Sequence, residues 1–199
     1  TFDNSTLNLD LAASNVGGNL TVTSGDSNGI TDSGTVTVGG NFIATTDANS
    51  GVINMGSMAV DGTFTLAPNS TGAVTIVNDA GLALAASTMG GTFSGTATTG
   101  NITQTGALAI TGTTTLVTSA NDATITLGTD SNAFTGAITI TTNDASGTDA
   151  DVTIDGGTTA LVIAASTVDG DLALRTGHAS GITDTGTVTV GGNFTATTD

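Results

Sequence analysis

The chain has 199 residues, one arginine, no lysine and 17 acidic residues, which give a net charge of −16. This charge leaves no basic surface to neutralise phosphates, so it excludes nucleic acid and anionic membranes as partners. The absence of cysteine excludes a disulfide framework and a thiolate zinc site, and at 37% hydrophobic residues the chain is too apolar for a disordered tail.

From the N-terminus onward, the chain consists of short segments in which apolar and polar residues alternate. Residues 35–38 and 137–140 are clear examples, and this period of two is typical of strands that bury one face. Gly, Asn and Asp gather between these segments, where turns favour them. No segment sustains the spacing of an amphipathic helix. The sequence therefore predicts an all-β fold.

A short motif recurs along the chain: an apolar residue, any residue, Gly, any residue and usually a second apolar residue. Its eight glycines are Gly18, Gly40, Gly62, Gly91, Gly112, Gly136, Gly170 and Gly192. Six motif intervals separate Gly18 from Gly170, and their mean length is about 25 residues, a period typical of stacked repeats. A repeat of this length cannot bury its apolar face alone, so copies must stack on one another.

A longer duplication contains these motifs. Residues 29–47 return at 181–199 with two changes, an offset of 152 residues. The segments LDLAAS, LALAAS and LVIAAS, which begin at Leu9, Leu82 and Leu161, mark every third motif unit. We therefore expect residues 1–199 to form one continuous segment of a longer repeat array, with a long repeat at 7–158 and an incomplete one at 159–199.

The repeats predict a parallel β-solenoid of about 25 residues per coil and seven to eight coils. Phe42, Phe64, Phe93 and Phe194 follow the motif glycine at the same distance, so we expect them to stack inward at equivalent positions. The motif glycine is expected at a tight corner, where a Cβ atom would clash. Neither end has the features of a cap, which predicts further coils, or other copies, at both ends.

Segments such as ITDSGTVTVGGNF, NVGGNLTVTSG and GNITQTGALAITGTTTL resemble the repeats of filamentous-haemagglutinin-like adhesins and autotransporter passenger regions of bacteria. The resemblance covers nearly the whole chain and rests on the style of the repeat. It implies a right-handed parallel β-helix, export to the cell surface or medium, and a role as a stalk, adhesin or matrix filament.

Few residues offer catalytic chemistry. Arg175 and His178 are the only cationic or imidazole side chains, and their counterparts in the earlier copy of the duplication, Thr23 and Asp26, differ from them. A polysaccharide lyase would need such groups to stabilise developing negative charge. A pair of drifted surface residues is the simpler interpretation, so we expect no enzyme and no catalytic residue.

The acidic residues suggest a tentative metal site, because carboxylates in loops bind calcium. The densest group is Asp144, Asp149, Asp151 and Asp155. It lacks the spacing of an EF-hand, and the nonapeptide of calcium-binding β-rolls is absent from the sequence. The alternative is a solvated turn whose side chains satisfy local N–H groups. No other cofactor is expected.

Outward threonines suggest another alternative, an ice-binding face. The residues three after each motif glycine are Thr21, Ile43, Thr65, Ser94, Thr115, Thr139, Ala173 and Thr195, a column that is rich in Thr but interrupted. Outward Thr is also expected of any exposed sheet.

The leading hypothesis is a structural, non-enzymatic segment of an extracellular bacterial filament or giant surface adhesin. Its partners are expected to be adjoining repeats or further copies end to end, and divalent cations or surface glycans are possible ligands. The alternative is a calcium- or carbohydrate-binding solenoid module, with ice binding less favoured and a polysaccharide lyase least favoured.

Overall fold

The computed structural model describes residues 1–4, 7–129, 131–143 and 149–199. The chain forms a parallel β-solenoid of about nine turns with about 22 residues per coil, and the described residues contain no helix. The predicted fold class is confirmed. Each coil is shorter than the motif spacing predicts, and the turns are more numerous than the predicted seven to eight.

Three sheets hold the strands of the described residues, numbered here in chain order. The ten-stranded sheet contains β1 (Phe2–Asn4), β4 (Leu20–Ser24), β7 (Phe42–Thr46), β9 (Thr63–Ala67), β11 (Leu82–Leu84), β14 (Ile102–Gln104), β17 (Ile125–Leu127), β20 (Val152–Asp155), β23 (Leu172–Thr176) and β26 (Phe194–Thr198). The thirteen-stranded sheet contains β2 (Leu9–Leu11), β3 (Ser14–Val16), β5 (Ile30–Asp32), β6 (Val36–Val38), β8 (Ile53–Val60), β10 (Val74–Asn78), β13 (Phe93–Ala97), β16 (Thr114–Thr118), β19 (Ile138–Thr141), β21 (Leu161–Ile163), β22 (Ser166–Val168), β24 (Ile182–Asp184) and β25 (Val188–Val190). The three-stranded sheet contains β12 (Ser87–Met89), β15 (Leu108–Ile110) and β18 (Ala133–Phe134).

Within each coil the chain passes from one side of the solenoid to the other. We call the side that holds the ten-stranded sheet side A and the side that holds the thirteen-stranded sheet side B. The three-stranded sheet extends side A, because Ser87 of β12 accepts a hydrogen bond from Leu66 of β9. Successive coils pair in parallel, as Leu20 does with Phe42 and Phe42 with Phe64.

The two sides of one coil differ. One carries an unbroken strand of four or five residues. The other carries two short strands with a break between them or, in β8, one strand of eight residues whose register with β10 shifts between Ile76 and Asn78; we call both forms a broken side. In the first coils the unbroken strands β4, β7 and β9 lie on side A. From β10 to β19 the unbroken strands lie on side B, and side A is broken. From β20 onward the unbroken strand is again on side A.

We call a place where the unbroken strand changes from one side of the solenoid to the other an inversion. The first inversion spans residues 58–89, and the second spans residues 132–168. Motif glycines lie at the corner between a broken side and the next unbroken strand, and an inversion adds a side without such a corner. The intervals across the inversions, Gly62 to Gly91 and Gly136 to Gly170, are therefore the two longest motif intervals in the chain.

This explains the difference in coil length. Seven steps along the ten-stranded sheet join Leu20 of β4 to Leu172 of β23, which correspond in the long duplication. The same offset contains only six motif intervals. Dividing the offset by the motif intervals therefore overestimates the coil, whereas dividing it by the seven steps gives about 22 residues, the observed length.

The core lies between the two sides and follows the alternation in the sequence. The alternating apolar residues are fully buried, as Val36, Val38, Ile138 and Ile140 show. All the remaining coils in the middle of the stack also bury apolar residues. Such burial contributes about 1.5–3 kcal/mol for each large aliphatic or aromatic side chain. The apolar interior is thus continuous along the solenoid axis.

The phenylalanines occupy this core, but not as one column. Phe42 and Phe64 meet edge to face in adjacent coils of side A, with ring centroids 5.9 Å apart. Phe93 is also buried, yet it lies on side B between Val74 and Thr114. The expectation of four equivalent positions was wrong, because the first inversion moves the motif from one side to the other.

Candidate functional site

Two buried serines complete the backbone ladder where a broken side rests on an unbroken strand. At the first inversion, Ser87 Oγ accepts the N–H of Leu66 at 3.0 Å and donates to the carbonyl of Ala85 at 2.9 Å. At the second inversion, Ser166 Oγ accepts the N–H of Ile140 at 3.0 Å. The break removes the backbone carbonyl that would pair with each N–H, so a hydroxyl supplies the acceptor.

Two buried asparagines serve the opposite change, from a broken side to an unbroken strand. Asn78 accepts the N–H of Val60 at 2.9 Å and donates to the carbonyl of Val60 at 3.1 Å. Asn132 accepts the N–H of Leu108 at 2.9 Å and donates to the carbonyl of Asp155 at 3.1 Å. Carboxamides donate and accept at once, so they satisfy both kinds of backbone group.

Sequence reasoning missed these four residues, which we call the adaptor residues: Asn78, Ser87, Asn132 and Ser166. A signal was present, because the two long motif intervals are also the ones that contain LALAAS and LVIAAS. A single mean period hides this signal, because the extra length of these two intervals corresponds to an added side.

The four aspartates of the tentative calcium site have different surroundings. Asp144 lies outside the described residues, and Asp149 is exposed. Asp151 lies at the corner before β20, where its Oδ1 accepts the N–H of Asp171 at 2.8 Å. Asp155 lies at the far end of β20 and binds Arg175. Among the described residues no three carboxylate or imidazole groups are close enough to hold a metal ion, and the calcium site stays a prediction.

Arg175 is held by two carboxylates. Its Nη1 lies 3.1 Å from Asp155 Oδ2, and its Nε donates to Asp199 Oδ2 at 2.9 Å. The hydrogen bond to Asp199 and the two negative charges raise the pKa of the guanidinium above its ordinary value. His178 Nδ1 instead accepts the N–H of Ser180 at 3.0 Å, within the same turn. Arg175 thus bridges three successive coils as an ion-pair network on side A.

The outward threonines do not form one column. Thr21, Ile43 and Thr65 follow one another on side A. Ser94, Thr115 and Thr139 follow one another on side B, and Thr75 precedes them in the same row. The expected single column is therefore wrong, for the same reason as the phenylalanine column.

The two ends of the solenoid expose apolar core side chains. At the C-terminal end, Phe194 is 57% exposed, whereas Phe42, its counterpart in the earlier copy of the duplication, is fully buried under the next coil. At the N-terminal end, Phe2 and Leu7 are 53% and 65% exposed. Phe2, Leu7 and Phe194 are the exposed large apolar side chains among the described residues, and all three lie at the ends of the solenoid.

Comparison with known proteins identifies the repeats. A family model described as repeats of unknown function (DUF5649) matches residues 1–55, 71–141 and 149–199. No curated protein and no solved structure matches the chain. A helix long and apolar enough to cross a membrane is absent from the described residues.

Proposed function

We propose, from the premise that this chain belongs to the repeats of unknown function (DUF5649), that it is a structural, non-enzymatic segment of a bacterial extracellular filament or large surface adhesin. In this role the solenoid is a stiff spacer. Its working property is length, and its partners are further coils at its ends, supplied by adjoining repeats or by other copies.

The observation that carries this proposal is the unbroken stack. Backbone hydrogen bonds link every coil to the next, and the apolar core continues through both inversions without a gap. Each coil contacts only its neighbours, so the fold grows in one dimension and tolerates any number of repeats. At about 4.8 Å per coil, nine turns give a rod about 43 Å long.

Two further features support the proposal. The motifs quoted above resemble the repeats of exported bacterial adhesins. The charge of −16 keeps parallel rods apart at low ionic strength, and divalent cations are the ions that would bridge them.

The rod predicts how length scales with repeat number. Each added copy of the long repeat should lengthen the particle by seven coils, or about 34 Å, at constant width. Electron microscopy of chains with one, two and three long repeats measures this increment directly. Compact particles whose width grows with repeat number would contradict the proposal, as would separate beads on a flexible thread.

The cellular role needs a second experiment. Antibodies raised against the purified chain should label fibres on intact cells that make the protein, without permeabilisation. Label confined to the cell interior would overturn the extracellular assignment. Stoichiometric calcium uptake in a calorimetric titration, or specific retention on a glycan array, would favour the binding-module alternative over a purely structural role.

A further inference from the structure

The three Ala-Ala-Ser segments share one local geometry. In each, the serine hydroxyl donates its proton to the carbonyl two residues earlier: Ser14 to Ala12 at 2.7 Å, Ser87 to Ala85 at 2.9 Å, and Ser166 to Ala164 at 2.9 Å. The hydroxyl proton therefore forms a hydrogen bond within its own segment, and the hydroxyl oxygen faces the preceding coil as an acceptor.

This acceptor is needed only above an unbroken strand. Ser87 and Ser166 receive the N–H groups of Leu66 and Ile140, which lie in the unbroken strands β9 and β19. One coil further on, a broken side rests on a broken side. The register partners of Ser14, Ser87 and Ser166 in those coils are Val36, Leu108 and Val188, which need no polar atom. Serine at this position therefore marks a coil that rests on an unbroken strand.

Ser14 has the same geometry at the N-terminal end face. Its side chain is exposed, and no described residue donates to its oxygen. The glycines beside it fit the same interpretation. A Cβ atom on Gly18 would meet nothing within 4 Å, whereas on Gly170, its counterpart, it would lie 2.8 Å from the carbonyl carbon of Ala150. The small residues of this face leave room for a backbone to approach closely.

We propose that the N-terminal end face is a docking surface for a solenoid coil whose side-B strand is unbroken, like the coil that contains β19. The N–H in the middle of that strand donates to Ser14 Oγ, and the coil covers Leu9, Leu11 and Val16. The inference rests on the proposed role as a rod, and it adds which coil fits this end.

A second identical copy is not the occupant that this face fits. The C-terminal end face carries β24 and β25 on side B, so its side B is broken. A copy stacked there would place Ser14 over Val188. Within the chain, Val36 is the counterpart of Val188, and the residue that pairs with Val36 in the next coil is Met58 and not a serine. The geometry therefore favours continuation by a coil of different pattern over direct head-to-tail association of copies.

Two extended chains test this proposal, each with an extension of two coils added before Thr1 of the full chain. The matched extension is residues 109–152, because residue 153 corresponds to residue 1 and β19 then lies beneath β2 and β3. The control extension is residues 151–194, of the same length, because Phe194 shares the register of Val152 through Leu172; it places the broken pair β24 and β25 there instead.

Ser14→Val is expected to act with opposite sign in the two chains. In the matched extension it should lower the denaturant midpoint of unfolding, because it removes the acceptor of a buried N–H. In the control extension it should leave the midpoint unchanged or raise it, since valine occupies this position wherever broken sides stack. The same sign of a significant shift in both chains would overturn the proposal.

Hydrogen exchange gives a second readout. In the matched extension, Ser14→Ala should accelerate exchange of the added Ile140 amide by about 5- to 150-fold, the factor for a buried donor left unpaired. A Thr139→Ser change in the added segment alone distinguishes its peptides by mass. Unchanged exchange would refute the assigned contact.

The proposed function can fail separately. If neither extension lengthens the particle in solution scattering, the rod itself is contradicted. If both lengthen it and Ser14→Val has no selective effect, only the docking preference fails. Concentration-dependent end-to-end oligomers of the unextended chain would show that a second copy is the occupant, which also overturns the preference.

Discussion

A few buried polar side chains replace backbone groups where the pattern of the coil changes. In stacked coils of the same pattern the main chain pairs the buried strand residues, as Leu20 N–H pairs with the carbonyl of Asn41, and side chains such as Asn19 accept only N–H groups at exposed corners. At an inversion the breaks no longer coincide, and buried N–H groups lose their partners. The adaptor residues restore these bonds, which avoids the cost of about 1–3 kcal/mol for each buried donor left unpaired.

The role of Ser87 can be measured by removing its hydroxyl. Ser87→Ala should reduce the free energy of unfolding by about 1–3 kcal/mol, because Leu66 N–H remains buried without an acceptor. The amide of Leu66 should also exchange faster with solvent. Denaturant unfolding and hydrogen exchange measure the two effects. Ser94→Ala is the matched control, since Ser94 lies on the outward face of β13, and it should change stability by less than about 0.5 kcal/mol.

A result in which Ser87→Ala and Ser94→Ala have equal effects would contradict the adaptor role. Ser87→Thr is a useful third variant, because it keeps the hydroxyl and adds one methyl group. It should retain the protection of Leu66 even if the extra volume costs some stability. Loss of protection in both Ser87 variants would show that packing, and not the hydroxyl, protects this amide.

At the scale of strands, the alternation of residues predicted nearly all of the local structure. The buried and outward positions of β6 and β19 follow the period of two directly, because each strand has one inward face. The sequence did not predict which side of the coil a strand belongs to. Both sides use the same Thr, Val and Ala alternation, so Phe42 and Phe93 look alike in sequence although they lie on different sides.

The site was less predictable than the fold, for a related reason. Ser87 has the composition of a turn residue, and its role depends on Leu66 in the preceding coil, 21 residues earlier. No local pattern contains that relation. The tentative calcium ligands show the converse: Asp151 and Asp155 are close in sequence, but they lie at opposite ends of β20.

The motif glycine offers a test at this scale. A Cβ atom at Gly112 would overlap the carbonyl group of Gly91 in the preceding coil, so the two coils would have to separate. Gly112→Ala should reduce the free energy of unfolding by about 1–3 kcal/mol, the usual cost of overpacking. Gly18→Ala changes the same motif position with no atom within 4 Å, and it should leave stability within about 0.5 kcal/mol. Equal losses in both variants would point to backbone conformation and not to coil contact.

For the whole molecule, the inversions separate two properties that a solenoid usually links. The coil length averages about 22 residues, with 20 residues from Val152 to Leu172 and 27 residues from Ile125 to Val152, and the core stays aligned. The side that carries the unbroken strand changes twice along one long repeat. Each end face therefore fits only a coil whose strand pattern matches it. A uniform stack would accept any neighbouring coil, whereas the adaptor residues make the coils at each inversion fit a predecessor of a particular pattern.

Deletion of one coil tests this specificity in the complete chain. Removing residues 20–41 joins Asn19 to Phe42, so an Asn–Phe step like the native Asn41–Phe42 step again connects two coils of the same pattern. The solenoid should therefore persist with one turn fewer. Removing residues 64–85 deletes a segment of the same length, but it takes away Asn78 and the partner of Ser87. The protein with this second deletion should lose cooperative unfolding and bind a hydrophobic dye, because β13 would then rest on β8 and its shifted register without Asn78. Circular dichroism, thermal unfolding and limited proteolysis distinguish the two outcomes. If both deletions fold equally well, coils are interchangeable and the inversions do not determine which coil stacks on which.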